Sequence, residues 1–127
     1  MVYLPSIARS PPPPETVKAS VTLETMKYQL VLQWPASSIQ DFDAMIAIEN
    51  KLIENLSEGS EVDGHDFGSG EGNIFILTDD PERAFSEIEA SLNNDDSWLN
   101  ARVAYREITK DHYTILYPED LKVFRIV

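Results

Sequence analysis

The chain has no cysteine, which excludes a disulfide framework, a thiolate nucleophile and a cysteine-based zinc site. Bases are scarce: ten Lys and Arg stand against 22 Asp and Glu, a net charge of −12. With an isoelectric point near 4.4, such a chain repels a phosphate backbone and an anionic membrane surface. Nucleic acid and membrane are therefore not expected partners. No apolar run approaches the roughly 18 residues of a membrane-spanning helix. The opening stretch, MVYLPSIARSPPPP, lacks the apolar region of a secretory signal, so a cytoplasmic location is expected. What is present, 127 residues of which 43% are hydrophobic, suits one globular domain with a modest core.

Charge and glycine are unevenly placed. Residues 1–25 hold two bases and two acids, whereas residues 41–96 hold sixteen acids and two bases (Lys51 and Arg83), a balance of −14. From Ser97 onward five bases meet four acids. All five glycines fall between Gly59 and Gly72, and five of the eight prolines lie in the first fourteen residues. The run Pro11 to Pro14 removes four backbone donors and favours polyproline II, which predicts a flexible arm over residues 1–25 ahead of a single α+β domain over 26–127. The arm reads as a spacer, with a Pro-rich ligand for a partner domain as the sharper alternative.

From Met26 to Trp34 residues alternate, with Tyr28, Leu30, Leu32 and Trp34 on one face and Lys27, Gln29, Val31 and Gln33 on the other. That pattern predicts a strand, ended by Pro35. Ser38, with Asp41 three positions on, caps a helix to about Leu56 whose inner face is Phe42, Met45, Ile46, Leu52, Ile53 and Leu56. A strand over Glu61–Phe67, a glycine-rich turn and an apolar strand over Asn73–Thr78 follow. Asp79-Asp80-Pro81 starts a second helix to about Leu92, with Ala84, Phe85, Ile88 and Leu92 inward. Leu99–Ile108 and His112–Tyr117 read as strands joined by a turn, with a short last segment over Lys122–Val127. This order predicts a ferredoxin-like split βαβ sandwich, an antiparallel sheet with two helices on one face. A small α+β sandwich with a differently packed last hairpin is the alternative.

Within residues 62–76 the sequence Val-Asp-Gly-His-Asp-Phe-Gly-Ser-Gly-Glu-Gly-Asn-Ile-Phe-Ile gathers four glycines, His65, and the acids Asp63, Asp66 and Glu71. Strand interiors avoid Gly, Asp and Asn, so the block predicts a sharply bent, bulged edge hairpin or a close backbone approach. With Ala101–Arg106 and Tyr113–Pro118, it resembles a group of small uncharacterised bacterial proteins in which a V-D-G-H-D-x-G-S-G-E-x-N-I-F-I block sits between two halves of the fold. The resemblance covers Met26 to about Pro118 and implies no activity.

His65 is a candidate general base, with Asp63 or Glu71 orienting it, because imidazole exchanges protons near neutral pH. The plainer reading is a histidine that orients the hairpin through one hydrogen bond. His65 and Asp66 point to opposite faces unless a bulge intervenes. No metal site is expected, since His112 is remote and cysteine is absent. Nor is a phosphate loop, which needs a lysine and a following helix where this chain has Glu71 and a strand. Glu49 falls at the centre of the first helix's apolar arc, so it must be paired or sit at the rim. Arg102 and Arg106, on one face of a strand, are its expected partners, and an acid beside the glycine hairpin is the functional alternative.

Two functions follow as expectations. In the first, a non-enzymatic module binds a basic protein partner, as an immunity protein binds a toxin or a DNA mimic its target, through Asp63, His65, Asp66, Gly68, Gly70, Glu71, Asn73, Arg102 and Arg106. In the second, a small hydrolase or isomerase uses His65, Glu71 and Glu49. No cofactor is expected for either. A homodimer through an open sheet face carrying Gln29, Val31 and Gln33 is compatible with both.

Overall fold

A computed structural model describes residues 26–36, 38–94 and 96–126, so the expected proline-rich arm lies outside the described residues. The elements run β1 (Tyr28–Pro35), α1 (Ile39–Asn55), β2 (Ser60–Gly68), β3 (Glu71–Thr78), α2 (Pro81–Leu92), a 3-10 turn (Asp96–Asn100), β4 (Arg102–Glu107) and β5 (Thr114–Tyr117). Residues 118–126 run as irregular structure, which includes most of the short last segment expected over Lys122–Val127.

Five antiparallel strands form one sheet in the order β2-β3-β1-β4-β5, which makes the fold α+β. It departs from a four-stranded ferredoxin-like sheet because β5 pairs outside β4. The short connection from Ile108 to Tyr113 returns the chain antiparallel to β4 and leaves β5 no other place to pair.

Alternation in β1 sends Leu30, Leu32 and Trp34 to the helices, where they meet Ile74 and Ile76 of β3, Val103 of β4, Met45, Ile48 and Leu52 of α1, and Ala84, Ile88 and Leu92 of α2. One cluster therefore holds both helices on one face of the sheet. Each fully buried aliphatic side chain there stabilises the fold by about 1.5–3 kcal/mol. Helix starts are chemically fixed. Ser38 accepts from the Asp41 N–H while the Asp41 carboxylate accepts from the Ser38 N–H, and the Asp80 carboxylate accepts from the Arg83 N–H with Pro81 opening the helix. Trp98, from the 3-10 turn, stacks on Tyr117 with centroids 4.7 Å apart and closes the core at that end.

The other face is not open. Val31 and Ala104 are fully buried and Gln33 is 1% exposed, and Gln33 Nε2 donates to the Arg125 carbonyl at 3.0 Å, so the C-terminal segment lies against this face. Of the three residues expected to carry a homodimer face, Val31 and Gln33 are thus covered within the chain and Gln29 is half-buried. A polar residue on a strand's outer parity is consistent with solvent or with a covering segment, and periodicity alone does not separate the two.

Candidate functional site

The glycine hairpin is a two-residue turn, with Ser69 at φ 54° and Gly70 at φ 82°, the paired left-handed geometry that matches the twist of flanking strands. Gly68 and Glu71 close the ladder on either side, and Gly70 accepts the Ala36 N–H at 2.9 Å. Upstream the β2 register slips by one residue between Val62 and Gly64, a bulge made where Gly64 adopts φ 150°. A Cβ at Gly64 would meet nothing within 4 Å, so backbone conformation and not space selects glycine there.

That bulge decides what His65 touches. Before it, Ser60 and Val62 pair with Thr78 and Ile76; after it, His65 pairs with Ile74 and Phe67 with Gly72. Parity has switched, and His65 joins Ile74 on the helix face while Asp66, opposite Asn73, takes the outer face. Asp63, the extra residue of the bulge, is exposed.

On the helix face Glu49 is the partner. His65 Nδ1 lies 3.0 Å from Glu49 Oε2 and 3.1 Å from Oε1. A carboxylate only accepts, so Nδ1 carries the proton and donates, which leaves Nε2 as the ring's free position among the described residues. Glu49 is 9% exposed, whereas the His65 side chain is about one-third exposed. Phe42 stands edge-on to both His65 and Phe67, with centroids 5.9 and 5.2 Å away. Glu49 is thus paired, but by His65 and by neither expected arginine. β4 explains why: Val103 packs in the core with Tyr105 against it, so Arg102 and Arg106 take the opposite face, across the sheet from α1.

Glu71 is also on that opposite face and does not orient His65. It accepts from Arg102 Nη2 at 3.2 Å and from Gln33 Nε2 at 3.2 Å, while Gln33 Nε2 also reaches Asn73 Oδ1 at 3.0 Å. Asn73, Gln33 and Arg102 are neighbours in register on β3, β1 and β4, so the sheet itself assembles the group. Arg106 donates to Gln29 and to the carbonyls of Ile108 and Lys110, tying down the β4–β5 connection. The candidate residues thus separate into a Glu49–His65 pair beneath α1 and a Gln33–Glu71–Asn73–Arg102 cluster on the far side. Gln33 was not among the expected site residues; its position between Asn73 and Arg102 follows only once pairing is known.

A cavity of about 180 Å³ opens between the end of β1 and α1, lined by Trp34, Ala36, Met45 and Ile48 with Asp41 and Asn100. Neither His65 nor Glu49 lines it. Among the described residues no group of three acidic or histidine side chains is arranged to hold a metal ion. No helix among them is long and apolar enough to cross a membrane.

Electrostatically, residues 41–96 hold sixteen acids against two bases. Of their two bases, Arg83 is committed to Asp79 at 2.6 Å, and this hydrogen bond holds its guanidinium above its ordinary pKa. Exposed Glu61, Asp63 and Asp66 along β2 have no ion pair among the described residues. No protein-family model, curated protein or solved structure matches the chain.

Proposed function

We propose that this chain is a non-enzymatic protein-binding module, built on a ferredoxin-like plan extended by a fifth strand, that engages a basic partner protein in the cytoplasm. The observation that carries the proposal is the excess of acid in residues 41–96, displayed on the β2–β3 hairpin and on the helices beside it. A field of this sign concentrates a cationic partner and raises its rate of encounter by tenfold or more at low salt. Neutralisation of a basic toxin, or occupation of a nucleic-acid-binding protein's cationic surface, is a concrete form of the same chemistry.

Affinity capture from the source cell tests this. A basic protein is expected on the native chain at low salt, released at high salt, and absent from a variant carrying Glu61→Lys, Asp63→Lys and Asp66→Lys. No partner at low salt, or one indifferent to salt, contradicts it.

One observation favours a second reading. A carboxylate fixing Nδ1 of an imidazole whose Nε2 is unengaged is the arrangement of a general base. The absence of that imidazole from the lining of the cavity at the end of β1 weighs against it. Loss of any measured turnover in His65→Gln, with folding intact, would favour catalysis; unchanged ligand responses in that variant would dismiss it.

A further inference from the structure

We infer that the partner docks on the free edge of β2, by adding to the sheet an extended segment that alternates basic and apolar residues. This rests on the basic-partner proposal and gives it a location and a form. Among the described residues β2 is the outermost strand on its side, so along nine residues about half of its backbone N–H and C=O groups face away from β3. Strand addition uses such a row for main-chain hydrogen bonds and alternate side chains for selectivity.

The two sides of this edge differ in chemistry. On the helix side, Val62 and Phe67 are half-buried against the core, and Phe42 packs on Phe67 and His65. Ile46 and Ile53 follow Phe42 on α1 at four and eleven residues, which keeps all three on one stripe, and Ile53 is 59% exposed. An apolar stripe, interrupted at its middle by the Glu49–His65 pair, thus runs along this side of α1. On the other side Glu61 and Asp66, opposite Leu77 and Asn73, are exposed acids without ion pairs among the described residues. An added strand would set its apolar residues under this stripe and its basic ones beside Glu61 and Asp66, since directly opposite residues on one face of a ladder interact most strongly.

The same charges select against a second copy. Two β2 edges paired about a two-fold axis would bring Glu61, Asp63 and Asp66 of one chain near those of the other, a like-charge contact that a basic strand avoids. The edge is closed to itself and open to a strand of opposite charge.

The test uses the full chain and two peptides of about seven residues. One alternates lysine and valine; the other carries prolines in place of the valines, with equal charge but without the backbone donors a ladder needs. At low salt the lysine–valine peptide is expected to bind at least about tenfold more tightly and to slow exchange of backbone amides in Ser60–Gly68. Ile53→Asn, which changes an already exposed side chain without adding charge, is expected to weaken it severalfold while leaving the thermal midpoint unchanged. Equal affinity for the two peptides, or protection confined to α2, overturns strand addition and leaves the basic-partner proposal standing. Binding of neither peptide overturns both.

Discussion

Glu49 sits in the middle of the inner face of α1, and a carboxylate in that position is stable only because His65 donates to it. Glu49→Gln keeps an acceptor facing Nδ1 and is expected to change stability by less than about 1 kcal/mol. Glu49→Ala removes the acceptor and part of the packing against β2, and is expected to cost about 1–3 kcal/mol. Urea denaturation of the two variants checks this, and equal losses would mean that the hydrogen bond is not what holds the pair. That Glu49 needed a partner was legible from its angle on the helix. Which partner it takes was not, because the strand parity of His65 depends on a single extra residue at Asp63-Gly64. The glycine signalled that a bulge was present, and the face assignment follows from its exact register, which emerges only from pairing with β3.

At the scale of elements, β1, the two helices and the β2–β3 hairpin were readable because each carries a local chemical signal. Alternating apolar residues mark β1, Ser38 with Asp41 and Asp80 with Pro81 mark the helix starts, and Ser69-Gly70 marks the turn. Ser38→Ala removes half of a capping box and is expected to cost about 1 kcal/mol, seen as a lower denaturation midpoint with an unchanged slope. The outer face was not readable. Gln33, Asn73, Glu71 and Arg102 meet across three strands, and the carbonyl that Gln33 reaches belongs to Arg125, ninety-two residues away. Gln33→Ala leaves the buried Asn73 Oδ1 without this donor and removes the bond to the Arg125 carbonyl, and is expected to cost about 1–3 kcal/mol. It should also speed amide exchange in residues 121–126, and a segment equally protected in the variant would mean that other contacts hold it.

At the scale of the whole molecule, the net charge of −12 is carried almost entirely by α1, the hairpin and α2, between a neutral leading stretch and neutral final strands. Self-repulsion of this kind keeps copies apart while attracting a cationic surface. This distribution was fully legible in the sequence; which acids stand along an open strand edge was not, since strand order decides it. The central claim is that these acids exist to meet a basic partner. Its most direct measurement is the association rate of the captured partner as ionic strength rises from about 20 to about 200 mM, a range over which the screening length shrinks about threefold. A rate that falls by tenfold or more for the native chain, and that starts low and stays flat for the Glu61→Lys, Asp63→Lys, Asp66→Lys variant, is the predicted result. Rates independent of salt, or the same for both proteins, would contradict it.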